Sequence, residues 1–544
     1  MVPRRRITPS GTNSLRASSG NAFLSAPSGI DLSGSAPSGT SSSFTASAVV
    51  YASGSSAISK DKVPESDDLW AVILLFCGLS ASFAFGLFTV IRASQMELEL
   101  ASFLFHHWQE LDCGIGTVTV IEARKASGSL RKMIPWAAPS FAISLFLSYF
   151  YLGITFLIRR SNFTQWVAGT ASVFGLVSAT LLAIYHQFIA SLVSIVFAAV
   201  CLIWQIVWFD SRHLSRAIAL QICDISKVSP LLALSGSASA ATVVVYGGYL
   251  WFLFGLRQLW DTANPSCTKD RYMYPPRFMM VIVLLSLITY WTTQAVSTLA
   301  QTLATATTQR HMFNVQPGLI HPSGRKSSMG RVLRLNIGSV CFGAGLLSLS
   351  LFLKDLSMGL MQNISLNRTD AFRSSTAALL LSLLLYMNPL YAALDAKIND
   401  WAFVIIGLNG TSYWHANTIG VILMSSTGLD LLSKGTGLYQ MFLYLPLVIA
   451  GIAAISTYLM VTLVPGPILQ TSDVLMADVL VAFAFFGGMQ VARAVLAPFK
   501  GAMCTIWVLM ARQPRIFKDH HADIWESLVG LNPSLAEALL KREN

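Results

Sequence analysis

Residues 290–309 read YWTTQAVSTLAQTLATATTQ, the second half of an apolar run that begins near residue 278. At about 100° per residue, Tyr290, Gln294, Thr298, Gln301, Thr305 and Thr308 fall within a stripe roughly 80° wide. Ala295, Val296, Leu299 and Leu303 lie off it. In hydrocarbon such amides and hydroxyls find no hydrogen-bond partner, so they must face other protein or water. Two readings fit these residue types. The stripe lines a polar path across a membrane, or it glues helices together and bonds back to its own carbonyls.

Enzyme chemistry fits the chain less well. His106 and His107, and again His520 and His521, are adjacent pairs that point to different faces of a helix and lack the i, i+4 partner of a metal site. They read as solvated loop histidines. The chain has no nucleophile elbow, phosphate loop or HExxH. Its 7 cysteines show neither CxxC nor metal spacing. The expectation is a non-enzyme with no cofactor and no metal.

The elements that carry the stripe follow from composition. With 54% hydrophobic and only 12% charged residues over 544 positions, the chain reads as an all-α polytopic membrane protein. The net charge of +11 is spread through loops and tails, with no basic aromatic face, so nucleic acid is not an expected partner; membrane lipids are. Residues 1–66 are rich in Ser, Gly, Ala and Pro, repeat SAPSG and cannot bury a core, so they read as a disordered cytoplasmic tail. A membrane domain is expected over 67–500 and a cytoplasmic tail over 501–544.

Apolar stretches of spanning length fall at 69–91, 135–158, 166–185, 189–209, 231–256, 278–309, 335–354, 375–394, 437–463 and 474–499. Ten spans put both termini on one side. With the N-terminus inside, the inner segments hold 25 of the 37 Lys and Arg and the outer ones 12 (37 − 25), a bias that favours this orientation. Asn363 and Asn367 then share an outer loop as glycosylation sites, while the sequons at Asn162 and Asn409 face the cytoplasm. Cys113 and Cys267 both lie in outer loops, where pairing as a disulfide is open to them.

Residues 401–426, WAFVIIGLNGTSYWHANTIGVILMSS, are long enough to span but carry a polar centre. They read as two short amphipathic helices meeting at Gly410 on the cytoplasmic face, with Tyr413 and Trp414 at headgroup depth.

The same stretch carries a family resemblance. Asn399-Asp-Trp401-Ala-Phe403, then Gly410 and Tyr413, and later Gly428-Leu-Asp-Leu-Leu432, resemble the choline transporter-like family, especially its fungal and plant branch. Arg331, Leu333, Gly338, Ser339, Phe342 and Gly343 are similar to that family's Arg-x-Leu, Gly-Ser and Phe-Gly signature. Residues 291–313 resemble the helix before it, and 505–514 the family's last segment.

The resemblance implies ten spans with both ends cytoplasmic and movement of choline or a related amine alcohol across the plasma or an organelle membrane. A quaternary ammonium has no N–H to donate, so aromatic faces would hold it. Tyr290, Trp291, Phe342, Trp401, Tyr413 and Trp414 are the cage candidates, each also explicable as belt or packing. Gly338, Ser339 and Gly343 suit close helix approach or a hinge. Where the family usually has Asn and His in the helix at 291–313, this chain has Thr298 and Gln301. The expected function is a carrier moving choline or a related small organic cation by alternating access. A non-transporting scaffold or sensor, or a carrier of another substrate, stays open.

Overall fold

The computed structural model describes residues 70–82, 84, 87–88, 138–153, 163–184, 188–207, 212–263, 276–314, 336–350, 399–434, 436–463 and 474–543. The described residues are helical, with no strand among them. Helices are named here in chain order as α1 (Trp70–Ser82), α2 (Ala138–Gly153), α3 (Phe163–Ile184), α4 (Phe188–Val207) and α5 (Arg212–Val228). They continue as α6 (Leu231–Ala263), α7 (Pro276–Asn314), α8 (Asn336–Ser350), α9 (Trp401–Asn409), α10 (Tyr413–Thr427) and α11 (Leu429–Lys434). The chain ends in α12 (Gly437–Leu463), α13 (Val474–Arg512), α14 (Pro514–His520), α15 (Ala522–Leu531) and α16 (Pro533–Glu543).

Every expected span except 375–394, which lies outside the described residues, carries a described helix. Among the described residues four stretches are long and apolar enough to cross a bilayer: Leu231–Leu250, Val281–Phe313, Gly437–Met460 and Phe483–Arg512. On α3 and α4 the outward positions are apolar too. Val173, Leu176, Val177, Leu192, Val196 and Ile203 stay exposed. A water-facing surface would not carry such a band, and a lipid-facing one must. These two helices meet closely where Gly175 faces Ala198 and where Ser191 donates to the Ala179 carbonyl at 2.8 Å.

Two 39-residue helices, α7 and α13, form the axis of the core. At 1.5 Å per residue each is about 58 Å long, well beyond the roughly 30 Å of hydrocarbon, so each projects past the membrane as one continuous rod. They run parallel, with Arg493 beside Tyr290 and Gly501 beside Gln301. Pro498 lies inside α13, where its ring leaves one carbonyl of the preceding turn without its usual donor. Beside that gap Ser235 of α6 donates to the Val495 carbonyl at 2.8 Å.

The segment at 401–426 forms two helices that break at Gly410, whose φ of 73° is left-handed and ends α9, as Gly428 at 70° ends α10. The amphipathic expectation for the first of them is not met. Trp401 through Gly407 are all buried, because α9 is apolar on every side and is enclosed by α7, α10 and α13. A helix without a polar face belongs inside protein rather than on a membrane surface.

Residues 501–543, expected as a tail, complete α13 and then form three short helices that join the main core. The apolar side of α5 (Leu214, Ile218, Ile222, Ile225) packs with Phe517, Ile524, Trp525 and Leu528. Pro514 stands at the start of α14, and the Asn532 side chain accepts the Leu535 N–H at 3.1 Å to cap α16. His521 is buried there, contrary to the solvated loop expected of it, with a hydrogen bond to the Met312 backbone at the end of α7.

Candidate functional site

Most threonine hydroxyls along α7 bond back to their own helix. Thr298 donates to the Gln294 carbonyl at 2.9 Å, Thr302 to Thr298 at 2.8 Å and Thr305 to Gln301 at 3.1 Å. Towards the C-terminal end the stripe is gripped from two sides. A methyl added at Gly501 of α13 would stand 2.5 Å from the Gln301 carbonyl oxygen, and one at Gly407 of α9 would stand 2.9 Å from the Thr302 oxygen. Only glycine permits backbones this close. Gln301 and Thr308 are buried, and the Gln301 Nε2 and Thr308 Oγ1 atoms have no hydrogen-bond partner among the described residues. Nearer the N-terminal end Gln294 is half-buried, and the buried Tyr290 accepts a 3.1 Å hydrogen bond from the Arg493 guanidinium.

One step round α7, Trp291 donates its indole N–H to the Cys341 carbonyl of α8 at 2.9 Å and lies over Gly345. From there an aromatic cluster runs across three helices. Phe342 of α8 has its ring centroid 5.4 Å from Trp70 of α1, 6.0 Å from Tyr413 and 6.0 Å from Trp414 of α10. Tyr413 is fully buried, seated against Gly343 and Phe403, whereas Trp414 and Trp70 are about half exposed at 52% and 51%. The rings meet at steep angles, and the half-exposed Trp70 and Trp414 leave aromatic surface accessible at the edge of the cluster, the kind of surface a cation seeks.

Charges anchor the other end of the α9–α10 hairpin. Asp400, directly before α9, pairs with Lys500 of α13 at 2.6 Å and accepts a 3.5 Å hydrogen bond from Tyr439. Trp401 donates its indole N–H to Asp430 at 2.9 Å, and Lys434 pairs with the same carboxylate. At the hairpin tip Asn336 of α8 donates to the Ile406 carbonyl and Arg512 donates to Asn409, each at 3.1 Å. The hairpin is therefore tied at both ends to the long helix that also grips the stripe.

The sequence-derived candidates are thus sorted by the fold. Phe342, Tyr413 and Trp414 come together, with Trp291 one helix contact away. Tyr290 turns to Arg493, and Trp401 to Asp430. Gly343 seats the Tyr413 ring, Ser339 is buried in α8 with Gly338 beside it, and Asn399 and Gly410 bracket α9. Cys113, Cys267, Asn363 and Asn367 lie outside the described residues, as do His106 and His107.

A family model described as plasma-membrane choline transporter matches residues 142–515, well over half of the chain. The chain belongs to this choline transporter-like family. Its similarity extends to the protein PNS1 of Gibberella zeae, 22% identical over 410 residues that cover 74% of this chain and 73% of that protein. The pns1 protein of Aspergillus fumigatus is likewise 22% identical over 403 residues, 72% of each chain. PNS1 of Yarrowia lipolytica is 21% identical over 362 residues, 64% of this chain and 61% of its own. As a choline transporter-like protein of the fungal branch, the chain is an integral membrane transporter-family member.

Within this choline transporter-like fold, sequence reasoning missed four residues that shape the site. Trp70, at the very start of the first apolar run, completes the aromatic cluster. Asp400 sits inside the family-like run that begins at Asn399 and was read as motif alone. Arg493 and Lys500 are cations inside a 39-residue apolar helix. A charge within a spanning stretch is costly unless it faces the bundle or a watery route, and that was the available signal.

Proposed function

We propose that this protein carries choline or a related small organic cation across the plasma membrane by alternating access, with both termini cytoplasmic and with Asn363 and Asn367 glycosylated outside. The observation that supports this reading is the aromatic cluster in which Trp70, Phe342 and Trp414, backed by the buried Tyr413, bring aromatic surface from three helices together for a ligand that cannot donate a hydrogen bond. Beside it, Tyr290, Trp291, Gln294, Thr298, Gln301 and Thr305 line the route on α7. In the conformation described, the route is shut at Gln301 and Thr305, where Gly501 and Gly407 close against α7. Contacts made through glycine backbones interlock few side chains, so they can part without repacking a core, which suits a gate. The pair Asp400 and Lys500 then holds the hairpin against α13 while the gate is shut.

The test is uptake of labelled choline into cells that lack their own choline carriers, comparing the native chain with Trp414→Ala and Gln301→Leu at equal surface expression. Saturable uptake is expected, with KM raised several-fold in Trp414→Ala and transport lost in Gln301→Leu. No uptake by the native chain at the surface would refute the substrate, and full activity of both variants would refute the route.

A further inference from the structure

We propose that Arg493, Gln490 and the Tyr290 hydroxyl form a binding site for a small monovalent anion of the halide class, in the middle of the membrane domain and apart from the aromatic cluster. Arg493 lies ten residues into the Phe483–Arg512 spanning stretch and a further seven residues before Lys500. Its guanidinium presents five N–H groups. Among the described residues it makes one hydrogen bond, to a neutral phenol, and no carboxylate pairs with it. The Asp400 carboxylate is already held by Lys500 at 2.6 Å. A guanidinium at membrane depth without a counter-charge is expensive, and such groups face a pathway or a bound ion.

Gln490 supplies the second, independent observation. It is 1% exposed, and both atoms of its amide lack a partner among the described residues. Three residues apart on one helix, Gln490 and Arg493 are neighbours on the same face. The parallel register of α7 and α13 sets Gln490 at the level of Tyr290 and Gln294. The site therefore offers a fixed positive charge, an amide N–H₂ and a phenol O–H. The Tyr290 oxygen accepts from Arg493, which leaves its own proton free to donate. The Arg493 guanidinium, the Gln490 amide nitrogen and the Tyr290 hydroxyl donate, and among the described residues no carboxylate joins them, which is the donor set of an anion site. Size selects within that class. Ala494, Val296 and Ala300 pack together just beyond it, and Gly501 closes on Gln301 two turns on, close packing that favours an atom-sized ligand over one as large as a phosphate ester.

The test uses the purified full-length protein and follows its thermal unfolding as chloride replaces gluconate at constant ionic strength, with bromide and acetate as further arms. Chloride and bromide are expected to raise Tm along a saturating curve that disappears in Arg493→Gln. Gln490→Leu, which keeps the charge and fills the same volume, should shift the half-saturating concentration upward about tenfold. Equal Tm of the native chain in chloride and gluconate would overturn the proposal. So would an unchanged curve in either variant, and a larger effect of acetate than of chloride would overturn the halide assignment. Should Arg493→Gln fail to fold, the Gln490→Leu curve decides. Choline-induced stabilisation measured in gluconate reads the cation site separately, so either reading can fail alone.

Discussion

Lys500 and Asp400 are where the hairpin stands or falls, and a double-mutant cycle measures by how much. Their side chains are 26% and 23% exposed, and their charged atoms are 2.6 Å apart. Breaking a fully buried pair from one side costs about 3–5 kcal/mol, because the remaining charge stays buried without its partner. A quarter of each side chain reaches solvent here, which relieves part of that cost, so Lys500→Met and Asp400→Asn should each lose about 2–3 kcal/mol. Lys500→Met is the harsher change. Among the described residues it leaves the Asp400 carboxylate only the 3.5 Å hydrogen bond from Tyr439, whereas Asp400→Asn leaves an amide oxygen for Lys500 to donate to. The double variant removes both charges and should recover about 1–2 kcal/mol of the summed loss, a coupling of the size that contacting residues show. Unfolding free energies from SDS titration in mixed micelles give the four corners of the cycle. Strictly additive losses would show that the pair does not hold α9 to α13, and the latch would have to be sought at Arg512 and Asn409 instead.

Three further outcomes follow from the same geometry. Gly501→Ala forces a methyl to within 2.5 Å of the Gln301 carbonyl, so α7 and α13 must part, at a cost of about 1–3 kcal/mol; accessibility of a cysteine placed at Thr305 to thiol reagents should rise, and unchanged labelling would mean that the helices do not close the route there. Burial holds the His521 imidazole below its ordinary value of 6.5, with His520 and His311 adding to the depression. The folded state thus binds fewer protons than the unfolded one, so docking of α14 and α15 is strongest above pH 6.5 and weakens as pH falls through that value toward the lower folded one. Hydrogen exchange of residues 514–531 between pH 5 and 8 checks this, and His521→Leu should flatten the profile; protection that rises on acidification would contradict it. Phe342→Ala, which removes the ring shared by three aromatic contacts, should raise the KM for choline about tenfold while leaving expression intact, and equal KM values would remove the cluster from the substrate's path.

Much of the architecture was legible because hydrophobic runs are long-range averages. α3, α4, α6, α7 and α12 begin and end within a few residues of the apolar stretches, except where α6 continues as a helix past its span. The break at Gly410 was legible for a local reason, since a polar centre and a glycine interrupt an apolar run. The environment of α9 was not, because nine apolar residues beside a polar loop suit a membrane surface and a protein interior equally well. Only the placement of α7 and α13 around it decides. The same averaging hid Arg493 and Lys500, single charges diluted by their neighbours, and the helices after Pro514, whose charged faces read as a tail until α5 supplies their apolar partner. Along α7 the stripe itself was readable, but threonine hydroxyls that bond to their own carbonyls have the same spacing as hydroxyls that line a channel.

Counterflow in proteoliposomes is the most direct test of the central claim, since exchange needs neither a coupling ion nor a known direction. Vesicles loaded with unlabelled choline and holding the purified protein should accumulate labelled choline transiently above equilibrium, and Phe342→Ala vesicles should do so only at much higher choline concentration. Labelled choline that never exceeds the level of protein-free vesicles, from protein shown to be folded, would contradict the account.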